Sequence, residues 1–270
     1  MLMLPLFILV VFGDKVLLVG CFIIGVMGVR EFFNGFNKMG IKPSFVIACV
    51  SAVALYAIEI FRTFILATGM WPMIRFLPYK LYMLWFVGVV VASLLYLFNV
   101  KERKLEDGAI TMMGIFYVIF LSYHVALTEL NYGIMVWLIF LTAFGTDVMA
   151  YFTGYVFGKH KLCPTISPKK TIEGAIGGVL GSVILCGIFG YFFAYEAFWP
   201  NMFIHCMVIG ALGGVVSQFG DLTASVFKRK MGIKDYGNLI PGHGGVLDRF
   251  DSVLFTAPLV YYYITILQSF

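Results

Sequence analysis

The densest cluster of chemically active side chains lies between residues 221 and 252. This stretch reads DLTASVFKRKMGIKDYGNLIPGHGGVLDRFDS. Glycines at 242, 244 and 245 allow a backbone to approach a ligand closely and to adopt positive φ. The cations that could neutralise phosphate oxygens here are Lys228, Arg229 and Lys234. Together these residue types predict a site that handles phosphate groups.

Carboxylates in the same stretch predict a metal site. Asp248 and Asp251 are three residues apart and share one face if the chain is helical there. Mg²⁺ prefers hard carboxylate oxygens and commonly takes one or two of them together with substrate phosphates. Asp221, Asp248 and Asp251 are the predicted ligands. Asp147 is a further candidate, because a carboxylate inside an apolar segment is costly and needs a reason.

Each piece of this pattern has an ordinary explanation when it is taken alone. A basic run at the end of a membrane helix is usually a topology anchor, and His243 in a glycine-rich loop is more often structural than catalytic. Asp248 and Arg249 could form a local salt bridge. The combination favours a functional site, because an anchor needs neither a PGHGG loop nor three aspartates.

The composition indicates that membrane helices position these residues. Of the 270 residues, 61 % are apolar and 12 % are charged, with a mean hydropathy of +0.95, whereas soluble domains carry about 25 % charged residues. The net charge of +5 is typical of basic cytoplasmic loops and does not indicate nucleic-acid binding. The five cysteines show no CxxC pair, which favours reduced thiols packed in helices.

The predicted fold is an all-α polytopic transmembrane bundle of about nine helices. Residues 1–130 form an N-terminal region of low sequence specificity, and 131–270 form the catalytic region. The first apolar segment is short for a crossing, so eight and nine spans are both open. The apolar segments are 1–12, 16–34, 44–66, 81–98, 110–127, 133–155, 174–194, 202–227 and 253–270.

The distribution of Lys and Arg predicts the orientation. With nine crossings and a cytoplasmic N terminus, most of the 19 basic residues fall in cytoplasmic loops and helix ends. Only Lys15, Arg62, Arg75 and Lys80 fall on the other side. Asp147 and Asp221 then lie at similar depth in the cytoplasmic half.

The run from Ser225 to Asp251, SVFKRKMGIKDYGNLIPGHGGVLDRFD, resembles a family pattern. It meets every fixed position of S-x-x-K-R-x4-K-D-x-G-x2-x-P-G-H-G-G-x-x-D-R-x-D, the pattern of phosphatidate cytidylyltransferases, also called CDP-diacylglycerol synthases. A second block, Ser167–Gly174, reads SPKKTIEG and is also similar to that family. The resemblance covers about residues 140–256, and the N-terminal half fits only by hydropathy.

The resemblance implies transfer of a cytidylyl group from CTP to phosphatidate, giving CDP-diacylglycerol and pyrophosphate. It implies Mg²⁺, with a second cation left open, and the partners CTP, phosphatidate and bilayer lipids, with a homodimer by analogy. The expected location is a bacterial inner or plasma membrane, with the active site at the cytoplasmic face. His243, Gly244 and Gly245 would shape a loop around the triphosphate. The implied catalytic residues are Asp221, Lys228, Arg229, His243 and Asp248, and the implied substrate-binding residues are Ser167, Lys169, Lys170, Ser225, Lys234, Gly244, Gly245 and Arg249.

Other functions remain open from the sequence. A related CTP-dependent transferase could act on an isoprenoid or ether-lipid phosphate. A transporter could use Asp147 and Asp221 to bind a cation, although no inverted repeat is evident. A scaffold that has lost activity is the third alternative.

Overall fold

The computed structural model describes residues 13–69, 76–193, 201–238 and 244–268, and these are largely helical. The predicted first segment, 1–12, lies outside the described residues. Two short 3₁₀ turns, Tyr96–Phe98 and Gly133–Met135, and one π-helical stretch, Ile115–Phe120, lie between α-helices. The helices are α1 Asp14–Asn37, α2 Phe45–Ala67, α3 Leu77–Leu95, α4 Leu105–Gly114, α5 Leu121–Tyr132, α6 Val136–Phe157, α7 Ile172–Phe193, α8 Met202–Lys230 and α9 Leu247–Gln268.

Seven helical stretches among the described residues are long and apolar enough to cross a membrane. One of them, Leu105–Phe157, has 53 residues. At 1.5 Å per residue it measures about 80 Å, more than twice the ~30 Å hydrocarbon core, so its length suits two crossings. Gly133, with φ of 52°, interrupts it between α5 and α6. The predicted all-α polytopic architecture is confirmed, the chain is an integral membrane protein, and the count of nine was approximate.

The described residues belong to two compact units. One comprises 22–120, and the other, here named the C-terminal unit, comprises 13–21 and 121–268. The division predicted at residue 130 stays a prediction. Every candidate site residue that the structure describes lies in the C-terminal unit.

The unit 22–120 places its buried charges in hydrogen bonds. The backbone N–H groups of Lys42 and Lys104 donate to Asp107, at 2.6 and 3.0 Å. Glu59, whose side chain has no exposed surface, accepts from the Arg62 guanidinium and from the Tyr82 hydroxyl. Buried charges that are paired in this way avoid most of the cost of desolvation.

Close packing of α6, α7 and α8 shapes the C-terminal unit. A Cβ added to Gly174 or Gly178 of α7 would lie 2.7 Å from the Ala150 carbonyl oxygen and 2.8 Å from that of Thr146, both on α6. A Cβ on Gly210 of α8 would lie 2.7 Å from the carbonyl oxygen of Ser182 on α7. Glycine is therefore required where these backbones meet, as small residues are in other membrane bundles.

A two-stranded hairpin, which the sequence did not predict, connects α6 to α7. Strand β1, Lys161–Cys163, pairs antiparallel with β2, Ser167–Thr171. The buried Thr171 accepts a hydrogen bond at its Oγ1 from the Gly174 N–H, at 3.1 Å, and so caps the first turn of α7. The hairpin therefore holds the two lysines of β2 next to the start of α7.

Candidate active site

A cavity of about 580 Å³ opens in the C-terminal unit between α6, the hairpin, α7 and α8. Its volume falls in the ~300–1,000 Å³ range of small-molecule sites. Charged side chains lie on its wall beside tyrosines and glycines. The lining residues are Asp147, Ala150, Tyr151, Gly154, Tyr155, Gly158, Lys161, Leu162, Lys169, Lys170, Thr171, Gly174, Ala175, Gln218 and Asp221.

The ammonium group of Lys170 pairs with one carboxylate and interacts electrostatically with two more. Its Nζ forms an ion pair with Oδ2 of Asp221, and the two side chains are 27 % and 24 % exposed. Burial lowers the pKa of Lys170, while the negative charges of Asp147 and Asp251 raise it. One cation from β2 thus balances carboxylates from α6, α8 and α9.

Ser252, whose role the sequence did not indicate, joins the start of α9 to α6. Its Oγ donates to Asp147 Oδ2 at 3.1 Å, and its backbone N–H donates to Asp251 Oδ1 at 2.8 Å. Asp251 and Ser252 are both buried. Ser252 therefore places Asp147 close to Asp251. The sequence alone had not given Asp147 a definite role.

Asp248 lies in the first turn of α9, and both of its oxygens are occupied by protein donors. Lys228 Nζ donates to Oδ1 at 2.8 Å. The backbone N–H groups of Tyr236 and Gly245 donate to Oδ2, at 2.8 and 3.0 Å. The Asp248 side chain is only 4 % exposed. Asp248 therefore links Tyr236 and Gly245 to Lys228 at the end of α8.

Two further residues complete this anchor. Gly244 has φ of 83°, and a Cβ there would lie 3.0 Å from Asp248 Oδ2, so a side chain would be strained and crowded. The Tyr236 hydroxyl donates to the Ala224 carbonyl at 3.1 Å, and its ring lies 5.5 Å from Lys228 Nζ. Tyr236 thus supports the Lys228–Asp248 pair. Its position between motif residues was the only signal for it in the sequence.

The other predicted site residues are distributed around the cavity and the anchor. Lys169 lines the cavity, and Ser167 begins β2. The Arg229 guanidinium donates through Nε to the Ile166 carbonyl at 3.2 Å, which connects the end of α8 to the hairpin. Ser225 is half-buried on α8, and Lys234 and Arg249 are exposed. His243 lies outside the described residues.

The residues of the predicted metal site do not all meet. Within the described ranges, no group of three His, Cys, Asp or Glu side chains could hold a metal ion. Asp221 and Asp248 pair with different lysines. Asp221 nevertheless pairs with Lys170, on which Asp147 and Asp251 also act electrostatically, and hard carboxylate oxygens of this kind suit Mg²⁺. The ligand set Asp221, Asp248 and Asp251 stays a prediction.

Several cavity residues were not predicted from the sequence. Tyr151, Tyr155 and Lys161 line the cavity beside the charged cluster. Gln218 also lines it and donates through Nε2 to the Ala175 carbonyl at 3.0 Å. For Tyr151, Tyr155 and Gln218 the only signal was their helical spacing from Asp147 or Asp221, which one sequence cannot distinguish from ordinary packing. Lys161 lies in β1 and carried no such signal.

Comparison with known proteins adds a family likeness over nearly the whole chain. Residues 1–267 match the sequence model of the Cytidylyltransferase family. Proteins named phosphatidate cytidylyltransferase are similar: that of Synechocystis is 44 % identical over 169 residues, or 61 % of this chain and 56 % of the relative. That of Bacillus subtilis is 40 % identical over 159 residues, or 58 % of each chain. This chain thus spans little more than half of the length of these two relatives. The phosphatidate cytidylyltransferase of Staphylococcus epidermidis is 33 % identical over 92 % of this chain and 89 % of the relative.

Proposed function

The chain belongs to the cytidylyltransferase family, and from this premise we propose that it transfers the cytidylyl group of CTP to phosphatidate. The products are CDP-diacylglycerol and pyrophosphate. One observation carries the proposal: the cavity gathers Lys169, Lys170 and Asp221 in an integral membrane protein. The names of the bacterial relatives support the choice of substrates.

The proposed reaction is an attack of the lipid phosphate oxygen on the α-phosphorus of CTP. The bond from that phosphorus to the β-phosphate oxygen breaks, and pyrophosphate leaves with the electron pair. The nucleophile is already anionic, so the site needs alignment and charge neutralisation more than a strong base. Lys169 and Lys170 supply positive charge on the cavity wall. Lys170 serves the phosphates by exchanging its Asp221 partner for a phosphate oxygen.

Among the carboxylates, Asp221 is the proposed principal ligand of Mg²⁺, because it lines the cavity and is partly exposed. Asp251 and Asp147 add negative charge at the same place. Asp248 would contribute to the ligand set through Oδ1, which accepts from Lys228, whereas its Oδ2 accepts from two backbone N–H groups. When bound, Mg²⁺ would neutralise the triphosphate and the leaving pyrophosphate.

The proposed location of the site is the cytoplasmic face of a plasma membrane. The bias of Lys and Arg towards the loops on the side of Lys169, Lys170 and Lys228 supports this orientation. It lets the acyl chains of the lipid remain in the bilayer while the head group meets a water-soluble nucleotide. A homodimer stays a prediction.

The test is turnover by the purified protein reconstituted in vesicles. Labelled CTP, Mg²⁺ and phosphatidate are expected to give CDP-diacylglycerol and an equal amount of pyrophosphate. Asp221→Asn should abolish both products. Glu106→Gln, a change at an exposed carboxylate in the unit 22–120, should leave them unchanged.

Two results would contradict the proposal. The first is that phosphatidate gives no CTP-dependent product, whereas a polyprenol phosphate or an ether-lipid phosphate does. This result would favour a CTP-dependent transferase that acts on an isoprenoid or ether-lipid phosphate. The second is unchanged turnover by Asp221→Asn.

A further inference from the structure

Two tyrosines on α6 form an exposed aromatic surface beside the charged cluster. The side chains of Tyr151 and Tyr155 are 70 % and 81 % exposed. Their rings are nearly parallel, at 17°, with centroids 6.4 Å apart. The pair therefore offers flat apolar faces to a planar ligand.

The tyrosines lie on the cavity wall in line with Asp147. The three residues are four apart on α6, so they follow one side of the helix, and all three line the cavity. Tyr151 and Tyr155 lie about 6 and 12 Å along the helix axis from Asp147. Asp147 acts electrostatically on Lys170. The cavity thus has a charged end and an aromatic end.

This arrangement matches the order of groups in a nucleoside triphosphate. Phosphates bound near Lys170 and Asp221 leave only the ribose between the α-phosphorus and the base. A base that extends along α6 from the charged end reaches the rings. We infer that Tyr151 and Tyr155 form the platform on which the cytosine base of CTP stacks, an inference that rests on the proposed function.

Aromatic residues near a membrane surface can also act as interfacial anchors. The cavity favours the base platform. Phe157, at the same end of α6, is 65 % exposed, yet it is not among the residues that line the cavity, whereas both tyrosines are. An anchor would not need to face a site with lysines and carboxylates.

The experiment compares binding of CTP with binding of inorganic tripolyphosphate, which lacks the base and the ribose. Purified full-length protein in detergent is titrated with each ligand in Mg²⁺, and turnover is measured in parallel. The variants are Tyr151→Leu, Tyr155→Leu and the double change. Tyr151→Phe and Tyr155→Phe keep the ring, and Phe157→Leu is the matched control for loss of an exposed ring.

We expect each Leu variant to raise the Kd for CTP by about 5- to 150-fold, the range for loss of base–aromatic stacking. The KM for CTP should rise with it, while the Kd for tripolyphosphate and the KM for phosphatidate stay unchanged. The Phe variants and Phe157→Leu should bind CTP as the unaltered protein does. Retained tripolyphosphate binding shows that a variant is folded.

Four results would overturn the inference. Three concern the Leu variants: unchanged CTP binding by the double variant, equal loss of CTP and tripolyphosphate binding, or a rise only in the KM for phosphatidate. The fourth is an unaltered protein that binds tripolyphosphate as tightly as CTP. If the unaltered protein turns over CTP and phosphatidate in any of these cases, the proposed function stands without the platform. If it neither binds CTP nor turns it over, the proposed function fails first.

Discussion

Replacing Asp248 with Asn tests whether this carboxylate is a structural anchor as well as a site residue. It accepts from Lys228 Nζ and from the N–H groups of Tyr236 and Gly245. An Asn side chain keeps one oxygen for the backbone donors but turns an NH₂ group towards the ammonium. Lys228, whose side chain is 15 % exposed, would then lose its charged partner.

The expected cost follows from this burial. Removing one partner of a buried ion pair destabilises by about 3–5 kcal/mol. The lower end applies, because Asn can still accept from the backbone amides, so we expect a loss of about 3 kcal/mol. At about 2–4 °C per kcal/mol for a chain of this size, the unfolding midpoint should fall by about 6–12 °C.

Asp221→Asn provides the comparison. Asp221 is 24 % exposed and its ion pair involves the partly exposed Lys170, so its loss should cost about 1 kcal/mol or less. Both variants should lose turnover, but only Asp248→Asn should lose substantial stability. Thermal unfolding in detergent, followed by circular dichroism, measures the difference.

A double-mutant cycle with Lys228→Met assigns the effect to the pair. If the pair is responsible, Lys228→Met in the Asp248→Asn background should cost less than it does alone, with a coupling of about 1–3 kcal/mol. Equal midpoints for Asp221→Asn and Asp248→Asn, or strictly additive effects of the two changes, would refute the reasoning.

Three further predictions concern the cavity and its supports. Lys170→Met should lower kcat/KM by about 10- to 100-fold, because a charge-assisted contact with phosphate is lost. Steady-state kinetics measure this change, with Lys101→Met at an exposed position as the control. Equal kcat/KM values for the two variants would contradict the role of Lys170. Thr171→Ala should lower the unfolding free energy by about 1 kcal/mol through loss of the α7 cap, whereas Thr171→Ser should retain it in a thermal melt. Chelation with EDTA should stop turnover and added Mg²⁺ should restore it; turnover that persists in a metal-free assay would contradict the role of Mg²⁺.

The helical membrane architecture could be predicted because it depends on composition and length. Each apolar segment after the first is largely helical, with segment 110–127 running across α4, the π-helical stretch and α5, because a stretch of that length can satisfy its backbone in lipid only as a helix or a closed barrel. Boundaries were less predictable. Helix α9 begins at Leu247 rather than near 253, because the polar residues 248, 249, 251 and 252 continue the helix. Asp248 and Asp251 consequently both lie in helical residues, which is the condition under which their spacing puts them on one face.

The candidate site was predictable in its residue types and less so in its pairings. Of the residues predicted for the site, Lys169, Lys170 and Asp221 line the cavity. The sequence could not show that Asp248 accepts from three donors, because two of these are backbone N–H groups of Tyr236 and Gly245. Nor could it show that Ser252 binds Asp147, since that contact joins residues 105 positions apart. Such pairings depend on tertiary packing, which local patterns do not encode.

The glycine contacts between α6 and α7 restrict how a ligand can travel. Where Gly174 and Gly178 meet the carbonyls of Ala150 and Thr146, the two helix backbones approach each other directly. Opening a gap there would require whole helices to separate. Entry and exit of a nucleotide would therefore depend on movable side chains that line the cavity, such as Lys161 and Lys169 of the hairpin. Substitutions in the hairpin would alter the rate of nucleotide exchange more than substitutions where α6 meets α7.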